Sequence, residues 1–191
     1  KLNCNRGRRV TFLKVALFLT TKRKTGWVVT MDIRKGMVAD AEAISSILAQ
    51  SWKVAFKGSV PQEYLDELKE DFWVDFFQQG IRDERITVQL VYEAQVPVGC
   101  ISYGKSRDSQ VADWAEIITL YLLPQSFGKK YGKALLDVAL AEMKDQGYEN
   151  AYLWALDENE RARNFYEGQG FSWNGDQNVV EIMGKSLVNL R

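Results

Sequence analysis

Between Glu116 and Phe171 the chain holds two segments whose residue types and spacing could do chemistry on a phosphorylated ligand. In the first, an apolar run from Glu116 through Ile-Ile-Thr-Leu120-Tyr-Leu122-Leu reads as a strand that ends at Pro124. The turn Phe127-Gly128-Lys129-Lys130-Tyr-Gly132-Lys133 then leads straight into an amphipathic stretch. Such a strand–turn–helix passage aims backbone N–H groups and the positive end of a helix dipole at one point, which makes a pocket for pyrophosphate. Lys129 and Lys133 oppose that dipole, so they are either solvated at the helix start or present to meet phosphates. The second segment is Asn159-Glu-Arg-Ala162-Arg-Asn-Phe165-Tyr166-Glu-Gly-Gln-Gly170-Phe171, a short helix closed by Gly and an aromatic. Asn159 is a good helix N-cap. Tyr166 shares a helix face with Ala162, Phe165 and Gln169, where an aromatic ordinarily packs.

These two segments, at this separation, resemble the GNAT acetyltransferase superfamily. The second matches the family pattern Asn-x-x-Ala-x-x-Phe-Tyr-x-x-x-Gly-Phe at every defining position. Laid without gaps on the family's Gln/Arg-x-x-Gly-x-Gly/Ala turn, the first has Phe127 for Gln/Arg and Lys130 for the first Gly, and keeps Gly132. Gly128 and Lys129 agree with a frequent version of that turn. Glycine is used where φ is positive or a ligand lies close, so either the turn keeps a negative φ at Lys130 or cofactor affinity is weakened.

The resemblance implies an α/β GNAT fold, a mixed, mostly antiparallel central sheet flanked by helices, with two central strands splayed apart. It implies acetyl-CoA as co-substrate. The turn at Gly128, Lys129, Gly132 and Lys133 would hold its pyrophosphate, with the backbone of Leu120 and Leu122 and the amide of Asn159 on pantetheine. Tyr166 would be the acid for the departing thiolate. Glu116 coincides with the catalytic glutamate of histone-acetylating members and would be the base.

Acetyl transfer to an amine needs a neutral nucleophile, donors for the oxyanion and a proton for the thiolate. An alkyl amine has a pKa of about 10 and a thiol about 8.5, so both proton movements matter near neutral pH. Glu116 has the strand parity of Ile118, Leu120 and Leu122, which makes it a carboxylate on an apolar face. Partial desolvation there would raise its pKa toward a useful range. A bulge would flip that parity, and a solvated Glu at a strand end is also common. Trp52, Phe56, Tyr64 and Trp73 either line an acceptor pocket or pack in the core.

Composition narrows the alternatives. The 191 residues, 46% of them hydrophobic, suit one domain with a sizeable core. Histidine is absent, which excludes Ser-His-Asp and Cys-His mechanisms and imidazole metal sites. Cys4 and Cys100 are in no metal or redox spacing and fit a reducing compartment, so the expectations are no metal and a cytoplasmic location. Residues 1–30 carry eight Lys/Arg and no acid, which leaves 17 basic against 25 acidic side chains in 31–191, a balance of −8. An acidic domain is a poor partner for nucleic acid and a plausible host for a cationic acceptor.

The basic 1–30 segment reads as an extension, a leader or an over-long start, outside an acetyltransferase domain over 31–191, with a membrane-surface arm as the alternative. Its apolar run at 10–19 is interrupted by Lys14 and too short to span a membrane. From Met31 the pattern is a first edge strand over 31–35, a helix capped by Asp40 and running to about residue 53, and a helical stretch from Pro61 continuing over 72–77. Strands over 85–92 and 96–105 join through a tight turn at Ala94-Gln95. A strand over 113–123, a helix over 132–146 closed by Gly147, a strand over 151–156 and a helix over 161–167 follow, then strands over 171–173 and 179–185. The function expected is acetyl transfer from acetyl-CoA to a primary amine of a small molecule or protein. No nucleic-acid or membrane partner is expected, and a homodimer is left open. The rival readings are a catalytically silent acetyl-CoA-binding module and a toxin-like enzyme acting on aminoacyl-tRNA.

Overall fold

Runs rich in β-branched and aromatic residues build the centre of the molecule, and apolar stripes at helical spacing cover it. The computed structural model describes residues 19–22 and 28–191. In chain order the elements are β1 (Leu19–Lys22), β2 (Val28–Lys35), α1 (Ala41–Ala55), α2 (Gln62–Glu67) and α3 (Val74–Arg82). The hairpin β3 (Thr87–Glu93) and β4 (Val96–Lys105) follows, then β5 (Ala115–Leu122) and α4 (Tyr131–Asp145). Last come β6 (Ala151–Leu153), β7 (Ala155–Leu156), α5 (Glu160–Gly168), β8 (Gln177–Ile182) and β9 (Lys185–Leu190). Strands β1 to β6 form one sheet in sequence order, antiparallel except for the parallel β5–β6 pair, and β7-β9-β8 form a second.

The expected mixed, mostly antiparallel sheet with splayed centre is what the chain adopts. β5 pairs with β6 only through Ala115–Ala151, Glu116–Tyr152 and Ile117–Leu153, after which the two strands part. The strand read over 151–156 is broken at Trp154, because residues 155–156 leave for β9 and the second sheet. No strand forms over 171–173, where the chain is held by the α5 C-terminal bond from Phe171 N–H to the Tyr166 carbonyl. The last strand expected over 179–185 is instead a hairpin, β8 and β9, turning at 183–184.

On α1, Ile44, Ile47 and Leu48 share the buried stripe that faces the sheet. Asp40 does not cap α1 through its side chain; its carboxylate reaches back to accept the Met37 N–H at 2.7 Å. The helical stretch from Pro61 stops at Glu67, with α3 a separate helix from Val74. Asp66, Glu67, Glu70 and Asp71 put negative charge where a helix C-terminus already carries it, which favours that stop. Ala94 and Gln95 both have positive φ and make the tight β3–β4 turn. Gly147, at φ 91°, closes α4, with the Tyr148 N–H returning to the Met143 carbonyl at 3.1 Å.

Helix α4 lies on the β3–β5 face through buried Leu135, Leu136, Ala139 and Met143. Glu142 fixes it there, accepting from Gln89 Nε2 at 2.6 Å and from the Tyr103 hydroxyl. Cys100, in the middle of β4, is free and fully buried.

The boundary read at Met31 falls inside β2, whose residues 28–30 pair only with β1. The ladder to β3 starts at Met31–Glu93 and runs to Lys35–Gln89. A chain starting at Met31 therefore keeps every β2–β3 pair and is expected to melt within about 4 °C of the full chain, a loss on the order of 1 kcal/mol or less. Differential scanning calorimetry of the two checks this, and a much larger drop would make residues 1–30 part of the folding unit.

Candidate active site

A β-bulge at Ile118 sets the geometry of the site. Ser102 faces Thr119 and Tyr103 faces Ile117, so β5 carries one residue more than β4 at that point. The extra residue flips the parity upstream of it. Leu120 and Leu122 share a face with Ile117 toward α4, while Glu116 shares the opposite face with Thr119 and Tyr121. Glu116 is thus not on the face read from the sequence.

Its surroundings also differ from the expectation. Glu116 is buried and accepts from Arg107 three times, from Nη2 at 2.6 Å, Nε at 2.9 Å and the backbone N–H at 3.1 Å. Burial pushes its pKa up, but the hydrogen bonds and charge of Arg107 outweigh burial and hold the carboxyl below its ordinary value. A carboxylate held ionised in this way is a poor proton acceptor for an ammonium, so the structure does not support Glu116 as the base.

Beyond the point where β5 and β6 part, a cavity of about 1050 Å³ is lined by the end of β5, the turn into α4, α4 and α5. Every expected site residue lines it except Glu116 and Lys129. Leu120 and Leu122 line it from β5, Asn159 and Tyr166 from the N-cap and the body of α5, and Gly128, Gly132 and Lys133 from the turn and the first turn of α4. No side chain caps α4, so the first-turn N–H groups of Gly132 and Lys133 are left for a ligand. A Cβ on Gly132 would stand 3.6 Å from Leu122 and Phe165, filling part of the space that the glycine leaves bare.

The turn keeps the shape a glycine would give it. Lys130 has φ 66° and ψ 10°, the left-handed region, so the reading in which it keeps a negative φ is corrected. A side chain there costs roughly 1 kcal/mol or more, which the packing of α4 offsets. The lysines divide by partner. Lys129 turns away to Glu93 at 2.6 Å, and Lys133 is paired with Asp137 at 2.8 Å. Lys130 and Arg161 are cations on the cavity wall that have no carboxylate partner among the described residues. Neither stood out in the sequence as a site residue. Arg161 lies over the Phe127 ring, its Cζ 3.5 Å from the centroid.

Asn159 caps α5, its Oδ1 accepting the Ala162 N–H at 3.1 Å, and its side-chain NH2 remains free to donate. Tyr166 packs edge-on against Phe165 and Phe171, 5.1 and 5.8 Å between ring centres. Among the described residues its hydroxyl has no hydrogen-bond partner. Burial, with a smaller contribution from Tyr121, pushes its pKa well above the ordinary tyrosine value. Tyr121, across the cavity, is raised for the same reason. Both phenols keep their protons at neutral pH.

Trp52 packs among aromatics, 5.3 Å from Trp73, 4.8 Å from Phe56 and 6.4 Å from Tyr64 between ring centres. Its buried indole N–H makes no well-formed hydrogen bond, although it lies near enough to the Tyr121 hydroxyl to temper the rise of that pKa. A smaller cavity of about 210 Å³ shares Tyr166 with the first. The arginines on it are already engaged, Arg163 by Asp157 and Arg191 by Asp108 and Asp176.

The profile of the acetyltransferase (GNAT) family matches residues 45–171, and the chain belongs to that family. It is an N-acetyltransferase by family, with acetyl-CoA as co-substrate. Over 151 residues it is 27% identical to a spermidine N(1)-acetyltransferase of Thermoplasma acidophilum, covering 74% of this chain and 88% of that one. An uncharacterised N-acetyltransferase of Bacillus subtilis is 24% identical over 136 residues, 68% of this chain and 73% of its own. Among solved structures, the fold is similar to the PaiA N-acetyltransferase of Thermoplasma acidophilum in complex with coenzyme A. The TM-score is 0.66 at 23% identity, covering 84% of this chain and 98% of that one. No helix among the described residues is long and apolar enough to cross a membrane.

Two measurements follow from the geometry. Because the Glu116 pKa is lower folded than unfolded, its contribution to stability is present above about pH 4.3 and is lost as pH falls toward the folded value. Glu116→Gln is expected to destabilise the chain by about 1–2 kcal/mol at pH 7 and to flatten the decline in melting temperature below pH 5. An unchanged acid profile would mean that the Arg107 pair contributes nothing. Gly132→Val is expected to melt like the wild type but to bind CoA at least about tenfold more weakly, since the branched side chain enters the cavity at the phosphate turn. Calorimetric titration decides it, and wild-type affinity would put the phosphates elsewhere.

Proposed function

We propose that this chain acetylates a primary amine, of a small molecule or a protein, by direct attack, with Tyr166 as the general acid. Acetyl-CoA, when bound, supplies the acetyl group as a thioester. The residues that would hold it are the turn amides at Gly128, Gly132 and Lys133, the β5 backbone at Leu120 and Leu122, and Asn159. The single observation that carries the reading is Tyr166 itself. Its hydroxyl is unpartnered on the cavity wall, and burial keeps it protonated, so at neutral pH it can give a proton and cannot take one.

The other proton has no such keeper. Glu116 is committed to Arg107, Asp137 to Lys133, and Tyr121 holds its own proton. The amine therefore loses its proton to water, and activity follows the supply of free amine. A polyamine is the acceptor class to test first. Residues 62–75 carry six acids and one lysine beside the Trp52–Tyr64–Trp73 cluster, a setting that attracts multiple positive charge. The spermidine acetyltransferase among its relatives supports the same choice. We read the compartment as the cytoplasm, in keeping with the free thiol of Cys100.

Tyr166→Phe is expected to lower kcat by roughly 10²–10⁴-fold with CoA affinity near wild type. The wild-type rate should rise with pH toward the pKa of the amine, and Glu116→Gln should leave that rise in place. Thiol release measured with spermidine, a monoamine and a lysine peptide between pH 6 and 10 checks all three. Binding of acetyl-CoA without release for any amine would make the chain a silent binding module, and full activity in Tyr166→Phe would reduce that residue to packing.

A further inference from the structure

We infer that Arg161, seated on the ring of Phe127, is a phosphate-binding residue of this chain, and that the two together replace the polar side chain that the family turn carries at position 127. The inference rests on the acetyl-CoA reading of the cavity. Phe127 opens the turn and Arg161 is the second residue of α5, and the fold brings them together from 34 positions apart. The guanidinium lies over the ring, its Cζ 3.5 Å from the centroid, close enough for stacking. Both line the cavity beside Gly128, Lys130 and Gly132.

Stacking of this kind uses the face of the guanidinium and leaves its in-plane N–H groups free, the arrangement suited to a two-point grip on a phosphate. Arg161 is otherwise uncommitted. The neighbouring Arg163 is tied to Asp157 at 2.7 Å, and Lys129 and Lys133 are tied to Glu93 and Asp137. Arg161 has no acidic partner among the described residues and is exposed to solvent. An exposed, unpaired arginine would ordinarily sample many rotamers. Here the ring favours the rotamer that sits at the mouth of the turn, whose amides face the same space, so less order has to be imposed when an anion arrives. An aromatic in place of Gln/Arg therefore does not empty the site of charge. It supplies the platform on which a cation from another helix rests.

The test is calorimetric titration of the full chain with three probes. CoA carries a pyrophosphate and a 3′-phosphate, dephospho-CoA keeps only the pyrophosphate, and pantetheine has neither. Arg161→Ala is expected to weaken CoA by roughly tenfold or more, to make its affinity less salt-dependent, and to leave pantetheine unchanged. A matching loss with dephospho-CoA assigns the contact to the pyrophosphate, and a loss confined to CoA assigns it to the 3′-phosphate. Phe127→Ala is expected to reproduce part of the loss, and adding it to Arg161→Ala to cost little more, because the ring acts through the arginine. Wild-type CoA affinity in Arg161→Ala would overturn the inference, as would an equal loss of pantetheine, which would mark a general disturbance of the cavity. Fully additive losses in the double variant would overturn the role given to Phe127. A wild-type chain that binds none of the three probes would instead bring down the acetyl-CoA reading from which the inference starts.

Discussion

The parting of β5 and β6 is the constraint on which the rest of the structure depends. A sheet opened at its middle exposes backbone N–H and C=O groups on two new edges, and such groups must find partners in the interior. On one side, β5 stays paired with β4 through Ile101–Leu120 and Gly99–Leu122. On the other, no strand among the described residues follows it beyond Ile117. The chain meets part of the demand itself. Residues 155–156 turn to β9, and Ser51 Oγ lies 2.9 Å from the Leu122 carbonyl and 2.6 Å from that of Ile47, so that its one proton is shared between α1 and the end of β5. What remains along residues 118–122 suits a ligand that brings amides of its own.

The turn into α4 answers a second constraint, that a phosphate be met by backbone rather than by bulk. Two residues near it, Gly128 and Lys130, take positive φ, and only one of them is glycine. The strained lysine persists because the elements on either side are anchored. Leu123 N–H is bonded to the Val98 carbonyl at 2.8 Å before the turn, and Glu142 pins the far end of α4 to β3 and β4. Charge around the turn is divided with some economy. Two of its lysines neutralise acids of the chain, which keeps the site from becoming a general anion trap.

Much of this was legible in the sequence, and what was not has physical causes. The strand–turn–helix passage and the Asn159–Phe171 segment are local, so their geometry follows from short-range backbone preferences, and their expected site residues line one cavity, Glu116 and Lys129 excepted. Glu116 was misread because a bulge at Ile118 inserts one residue where periodicity assumes none. Its true partner, Arg107, sits in a loop that no spacing rule ties to it. The stack of Arg161 on Phe127 was invisible for a related reason, since each residue fills a variable slot of its own segment. Trp154 broke a strand that looked continuous because the next two residues gained more by joining β9, a choice made by the C-terminal hairpin far along the chain.

Cys100 lies at the middle of β4, fully buried beneath this arrangement. Burial pushes its thiol pKa up to about 12, against a small opposing effect of a backbone hydrogen bond at Tyr121. A thiol so placed is neither ionised nor reachable by a labelling reagent while β4 keeps its neighbours. Its modification rate is therefore a clock for the opening of the central sheet, one that the native chain carries without any engineered probe. Ligands that close the gap beside β5 should slow that clock, so their arrival can be followed at an atom that never touches them.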